Sequence, residues 1–411
     1  MQDERQKIRQ DLAVIGLVSS AHFFSHFYYL TLQPLFLLIQ AEIGLTFTHL
    51  GLIVTVYAFT SAIGHYPGGV LVDRYGPRHF IIAGIAITSL AIIGMGSAPN
   101  YPTMLLLAAV IGTADCIFHP ADYSILSDRV DEKRLGRAFS FHTFIGFFGF
   151  SVAPVTVVFL ASVWDWRTAL HLSGMAGLVV AGIIFLKRDM LPIQDAEART
   201  KQAVTDEEQG SGALSMLLSA PIIMMFLFYA VGSIGTSGIK DFTTVAMVDF
   251  YEIGQNEAVQ GVSAFMWGTA LGVLAGGVIA DKVRRLNLIA TLGYVLASLT
   301  VVLIAMNWLP LWAAITGYFI AGFTTGMIIP SRDLLVKAET PEGSMGKAFG
   351  LVTSGYGFGG AISPLLFGAL MDQGMIPLVL GIPAFFLITA IAFSLAASHT
   401  GRRHRTSQPA Q

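Results

Sequence analysis

Apolar residues run in blocks of about twenty or more, separated by short clusters of charged residues, glycine and proline. A helix needs roughly 20 apolar residues to cross about 30 Å of hydrocarbon. On that length the chain predicts spans over 12–39, 49–71, 80–98, 101–126, 138–162, 167–187, 214–248, 258–280, 287–306, 309–335, 347–371 and 376–398. The runs at 12–39 and 214–248 are longer than a perpendicular crossing needs, so tilted helix or interfacial turns are expected there. Sustained alternation of period two is absent, so a barrel of strands is not expected. The expected fold class is an all-α membrane protein, with twelve transmembrane helices in two six-helix halves.

The polar segments support this reading. With the N-terminus in the cytoplasm, all but Arg167 and Lys240 of the 24 Lys and Arg fall on the cytoplasmic side. That is a strong positive-inside bias, and one missed span would scramble it. The segment 188–213 is polar and charged (Asp189, Asp195, Glu197, Arg199, Lys201, Asp206, Glu207, Glu208) and reads as a cytoplasmic linker. The expected domains are an N-terminal bundle over 1–187, this linker, a C-terminal bundle over 214–398 and a basic cytoplasmic tail over 399–411. The first apolar run is too long for a cleavable signal and lacks a small-residue cleavage pattern, so no signal peptide is expected. The expected location is a bacterial-type inner membrane.

Composition narrows the class further. The chain is 54% hydrophobic and 12% charged, against about 25% charged in soluble domains. A net charge of -2 gives no basic field for nucleic acid. The single cysteine, Cys116, excludes an intrachain disulfide.

The halves repeat. Pro120, Gly136, Ala138, Phe139, Gly149 and Pro154 match Pro330, Gly346, Ala348, Phe349, Gly359 and Pro364 at a constant offset of 210. Gly69-x-x-x-Asp73-Arg74 matches Gly277-x-x-x-Asp281-Lys282 at an offset of 208. Parallel six-span repeats are one of the plans on which transporters are built. The segment Gly69-Val70-Leu71-Val72-Asp73-Arg74-Tyr75-Gly76-Pro77-Arg78 resembles the signature loop of the major facilitator superfamily, G-x-L-a-D-r-x-G-r-k. It departs at Pro77, where that family usually has a basic residue. The second copy stands where the family places its own. Gly69 is expected to let two helices approach closely. Asp73 is expected near Arg129, Arg134 and Arg137, in an ion-pair arrangement that opens and closes one face. With Arg74, Gly76 and Arg78, and with Gly277, Asp281 and Lys282 in the second half, these residues form the expected gate.

Polar residues inside the apolar blocks carry the candidate chemistry, because ionisable groups in hydrocarbon are costly and usually border a cavity or a partner. Ser19, His22, His26, Tyr29 and Gln33 fall at helical spacing in the first span. Asp115, His119 and Asp122 do so in the fourth, where Pro120 is expected to kink the helix. In the seventh, Ser233, Ser237, Lys240 and Thr244 form a stripe with Asp241 beside it, and the tenth ends on Pro330-Ser331-Arg332-Asp333. The resemblance implies that spans 1, 4, 7 and 10 line a central cavity. His26 and Asp115 lie midway along their spans and read as a proton site or a ligand for a polar group of the substrate. Asp122 also reads as part of the cytoplasmic gate, Arg332 with Asp333 as an interfacial ion pair, and Lys240 with Asp241 as an outer-rim pair. His65, His142 and His171 read as packing or interfacial residues.

Where the family often has an arginine early in helix 4, this chain has Leu105 to Ala109, so Asp115 or the histidines would have to carry any proton. The short element Phe118-His119-Pro120 with Leu126-Ser127 is similar to helix 4 of fosmidomycin-resistance-like exporters. Gly146, Gly149, Ala153 and Pro154, and Gly355, Gly357, Gly359, Gly360 and Pro364, are expected to allow close helix packing.

The expected activity is secondary active transport of a small organic molecule by alternating access, coupled to protons, with export favoured. Uptake of a small organic anion is the second reading, since Lys240, Arg332 and the histidines could bind one. A receptor that kept the fold without transporting is a remote third. No G-x-x-x-x-G-K-[ST], H-E-x-x-H or nucleophile-elbow motif is found, so neither a self-contained ATP-driven pump nor an enzyme is expected. Asp115-x-x-x-His119 could ligate a metal by spacing, but two candidate ligands are weak evidence for a site. No cofactor is expected. The expected partners are the substrate, protons and membrane lipid, with no nucleic acid, and the chain is expected to work as a monomer.

Overall fold

The computed structural model describes residues 2–192, 219–283, 286–339 and 345–407. Most of the linker, with Asp195, Glu197, Arg199, Lys201, Asp206, Glu207 and Glu208, lies outside the described residues, as do Arg284, Arg285 and the Asp281 side chain. In chain order the helices are α1 (Gln2–Tyr29), α2 (Phe36–Ile43), α3 (Phe47–Tyr75), α4 (Pro77–Gly96), α5 (Tyr101–Asp115), α6 (Phe118–Arg129), α7 (Glu132–Val163) and α8 (Trp166–Leu186). They continue with α9 (Ala220–Tyr251), α10 (Gln255–Lys282), α11 (Leu286–Ala305), α12 (Leu311–Glu339), α13 (Met345–Asp372) and α14 (Ile376–Ser407). No strand occurs among the described residues. Among the described residues, ten segments are long and apolar enough to cross a membrane by length and composition, with α5 and α6 counted as one. The predicted spans that fall short of that measure belong to α1, with its charged first third, and to the glycine-rich α13. The chain divides into two compact units, residues 1–45 with 52–204, and residues 46–51 with 205–411.

Two prolines decide where long spans break. Proline lacks an N–H, and its ring crowds the carbonyl four residues earlier. Four residues before Pro34 stands Leu30, and α1 ends at Tyr29. The Leu30 and Thr31 amides donate to Phe27 and Tyr28 at 3.2 and 3.3 Å, a tighter turn than the α-helix, and Gln33–Leu35 form a short 3-10 turn before α2. This corrects the expectation that Gln33 shares one helix face with His22, His26 and Tyr29. Four residues before Pro120 stands Cys116, and the fourth span breaks there between α5 and α6. The kink expected at Pro120 is present. It divides the stripe read as one face, since Asp115 closes α5 while His119 and Asp122 belong to α6.

Close packing rests on glycines, though not on those of the signature loop. A Cβ on Gly69 would meet only the Pro120 ring at 4.0 Å, and one on Gly277 would meet nothing within 4 Å. The tight approaches lie between one and nine residues earlier. A Cβ on Gly64 would stand 2.7 Å from Cys116 Sγ, and one on Gly68 3.1 Å from it. In the second unit a Cβ on Gly268, Gly272 or Gly276 would stand 2.1, 2.1 or 2.4 Å from the carbonyl oxygen of Phe319, Phe323 or Met327. Gly64 and Gly68 match Gly272 and Gly276 at the offset of 208 already seen, so the repeat includes the packing seam between the second and fourth spans of each half. Similar seams join α1 to α7, where a Cβ on Gly149 would stand 2.3 Å from the Phe23 carbonyl, and α9 to α13, where one on Gly359 would stand 2.1 Å from Ala230 O. Helices in lipid gain from such contact because dispersion and backbone proximity replace the missing hydrophobic drive.

Gly76 has a different reason. Its φ of 85° lies in the left-handed region, which only glycine enters cheaply, and it turns the chain from α3 into α4. Pro77 follows at the first helical position, where a missing N–H costs nothing. This accounts for the departure from the family pattern at that position. Arg78 is buried and donates from Nε and Nη2 to the Leu191 carbonyl, to which Arg129 Nη2 also donates at 3.3 Å. The loop thus holds the chain as it leaves α8.

Candidate functional site

In the first unit, α1, α3, α5, α6 and α7 bring two carboxylates and five imidazoles together. Asp115, at the end of α5, is held by hydroxyls. Ser25 on α1 donates to Oδ1 at 2.7 Å, and Ser61 on α3 donates to Oδ2 at 3.0 Å. Tyr57, one turn before Ser61, lies beside the carboxylate. Three helices therefore meet on one partly exposed anion.

Asp122 lies deeper. Its side chain is fully buried, 3.1 Å through Oδ2 from His22 Nδ1 and 3.4 Å from His142 Nε2. The His22 ring centroid lies 3.9 Å from that of His142, 4.3 Å from His26 and 5.1 Å from His119. The His119 ring in turn lies 6.3 Å from His65, and both His65 and His119 are exposed. Imidazoles thus run from the accessible surface inward to a buried carboxylate. Gly146 makes the space, since a Cβ there would stand 2.2 Å from His22 Nε2. The His26 ring packs 4.2 Å from Phe150.

Beside Asp115 is a half-open pocket lined by Tyr28, Tyr29, Gln33, Tyr57, Met95 and Leu170 among others. Its wall is almost wholly apolar, and its volume of about 30 Å³ is room for little more than one water in this conformation. Gln33 thus reaches the same pocket as Tyr29 across the break, although the two share no helix face.

These placements refine the sequence reading. The imidazole–carboxylate contact forms at Asp122 with His22 and His142, whereas Asp115 engages Ser25, Ser61 and Tyr57. His142, expected as packing, belongs to the cluster. A signal for it existed, since His142, Gly146, Gly149 and Ala153 fall at helical spacing on the face of α7 that meets α1. The serines had no such signal, because a hydroxyl in an apolar span commonly bonds its own helix. His171 hydrogen-bonds Ser97 at 2.8 Å, away from the cluster.

In the second unit, Lys240 and Asp241 are both buried on α9. Lys240 Nζ donates to the Tyr356 hydroxyl at 3.3 Å, and Ser233 of the same stripe donates to the Tyr356 carbonyl at 2.7 Å. Lys240 therefore turns into its own bundle toward α13. Arg332 on α12 lies 4.0 Å over the Tyr229 ring, and Tyr229 donates to Asp333 Oδ1 at 2.7 Å. Arg332 and Asp333 also pair with each other at 3.3 Å. Two cations with aromatic partners can hold an anionic group by charge and hydrogen bonding.

At the signature loop, Asp73 and Arg74 are exposed and so is Lys282. Of the basic residues expected near Asp73, Arg134 pairs with Asp11 at 2.7 Å and with Asp131 at 3.5 Å, and Arg129 pairs with Asp128 at 3.9 Å.

Comparison with known proteins agrees with this architecture. The family described as Major Facilitator Superfamily matches residues 18–261 and 241–410. The fosmidomycin resistance protein of Escherichia coli (strain K12) is 22% identical over 382 residues, covering 92% of this chain and 91% of that protein. The multi-drug resistance efflux pump PmrA of Streptococcus pneumoniae (strain ATCC BAA-334 / TIGR4) is 25% identical over 352 residues, covering 84% of each. Among solved structures, a bacterial homolog of the human lysosomal transporter Spinster aligns with a TM-score of 0.78 at 16% identity, over 98% of this chain and 99% of that one. With a repeated helical half, glycine seams at a fixed offset, the signature loop and a family match over most of its length, the chain belongs to the Major Facilitator Superfamily of membrane transporters.

Proposed function

We propose that the chain exports a small, largely apolar organic molecule across a bacterial-type inner membrane, driven by protons through Asp115. Both termini would be cytoplasmic, by the distribution of Lys and Arg. The observation that carries the reading is the carboxylate at the kink of the fourth span, held by hydroxyls of α1 and α3 beside an aromatic pocket. Such an anion is costly in a membrane unless it binds a proton or a cationic partner in the working cycle. Alternating access would expose that carboxylate to each side in turn. Asp73 and the loop around it would gate one face. Export is favoured by the apolar pocket and by relatives whose names refer to drug resistance and efflux.

A second reading is uptake of a small organic anion, favoured by the buried Lys240 and by Arg332 stacked on Tyr229. Proteoliposomes under an imposed pH gradient, offered cationic drugs and organic acids in turn, separate the two. Export of drugs should persist at about the parental rate in Lys240→Ala and Arg332→Ala. Gradient-driven uptake of an organic acid that is lost in both variants would establish the second reading instead, and transport indifferent to the gradient would defeat both.

A further inference from the structure

We propose that His22, Asp122 and His142 form a binding site for a divalent transition cation of the Zn2+ class. The proposal rests on ligand geometry and is independent of any transport cycle. The three ligand atoms lie within 4.8 Å of one another, and all three residues are buried. A cation with bonds of about 2.1 Å in tetrahedral geometry sets its ligands roughly 3.4 Å apart. Asp122 Oδ2 is already 3.1 Å from His22 Nδ1 and 3.4 Å from His142 Nε2. The ligands come from α1, α6 and α7, so their spacing is fixed by helix packing. That packing depends on Gly146, which leaves room for the His22 ring.

Beyond the His22–Asp122 contact, the cluster keeps buried polar atoms without hydrogen-bond partners. Asp122 Oδ1 and both ring nitrogens of His142 are buried without a hydrogen-bond partner, although His142 is 0% exposed. Buried polar atoms are normally paired, and each exception asks for an explanation. A cation at the focus of the three ligands would take the His142 Nε2 lone pair and compensate the buried carboxylate, a group that is expensive to leave bare. Two imidazoles and one carboxylate suit a borderline ion such as Zn2+ or Co2+ and suit Mg2+ or Ca2+ poorly. Three protein ligands leave a fourth position, which His26 or His119 could fill, since their rings lie 4.3 and 5.1 Å from that of His22. The exposed His119 and His65 supply an entry path of the same ligand type.

The test uses the full chain, purified in detergent with any affinity tag removed, and titrated with Co2+ by visible absorption and with Zn2+ by calorimetry. Wild type should give the intense d–d bands of low-coordinate Co2+, displaced by one equivalent of Zn2+ per chain. Asp122→Asn and His142→Gln should each weaken binding by about 100-fold or more, at or beyond the loss seen when a supporting outer-shell group is removed. His171→Gln, outside the cluster, should bind as wild type does. Absence of the wild-type Co2+ bands, which needs no variant to fold, would overturn the proposal and leave a proton as the neutralising partner of Asp122. Equal binding by wild type and by folded Asp122→Asn would also overturn it.

Discussion

Asp115→Asn is expected to abolish accumulation driven by a pH gradient while leaving exchange of substrate at equal pH on both sides intact. The amide keeps the shape of the carboxylic acid and can still bond Ser25 and Ser61, whose hydroxyls rotate to suit. It cannot take up or release a proton, so it mimics one protonation state permanently. Steps that proceed within that state continue, and the step that requires the other state stops. A coupling free energy of about 1–3 kcal/mol between proton and substrate corresponds to roughly 5–150-fold in the effect of protonation on substrate affinity, and Asp115→Asn removes that difference. Asp115→Glu should recover part of the coupling, because the carboxylate returns with one more methylene to place against Tyr57. Paired measurements of uphill transport and exchange in the same vesicles check this. Equal loss of both activities would point to a structural role for Asp115, and equal retention would remove it from the cycle.

The second large effect concerns the fold. Gly272→Leu should cost the protein most of its folded yield, while Gly277→Leu should fold normally. A Cβ at position 272 would lie 2.1 Å from the Phe323 carbonyl oxygen, a backbone atom that cannot rotate away. α10 and α12 would have to separate along the seam that also uses Gly268 and Gly276. Overpacking of a filled core costs typically about 1–3 kcal/mol, and a clash with backbone leaves less room for relaxation than one with a side chain. At position 277 a Cβ meets nothing within 4 Å. Monodisperse yield in detergent and thermal melting of the two variants decide the matter. The contrast is useful because Gly277, not Gly272, belongs to the recognisable motif.

That contrast also marks what could be read from the sequence. The apolar blocks and the positive-inside bias predicted an all-helical membrane fold, because in lipid the backbone must satisfy its own hydrogen bonds and helices do so within one segment. Pro120 gave the kink in the fourth span, since the steric cause lies within four residues. Pro34 carries the same information for the first span and removes Gln33 from the helix that ends at Tyr29. The packing role given to Gly69 belongs to Gly64 and Gly68, five residues and one residue earlier, because motif membership says nothing about where the neighbouring helix crosses.

Long-range pairing was the least legible part. Spacing placed His22, His26, Asp115, His119 and Asp122 on the right helices, but it could not say which imidazole meets which carboxylate. That depends on the crossing of α1, α6 and α7, which Gly146 and Gly149 determine. His142 could have been found by following that glycine face one turn toward the N-terminus. The roles of Tyr356 and Tyr229 were not available from local pattern, since each meets a cation more than one hundred residues away in the chain.

The central claim is that the titratable residues of the first bundle border an aqueous path. His119, exposed at the outer end of the imidazole series, is the position to probe. A single cysteine placed by His119→Cys in a Cys116→Ser background can be challenged in oriented vesicles with a charged, membrane-impermeant thiol reagent from either side. The account predicts modification in the folded protein, with the accessible side changing when the pH gradient is reversed. A cysteine that resists the charged reagent from both sides, yet reacts with a lipid-soluble maleimide, would place His119 against acyl chains and contradict the account.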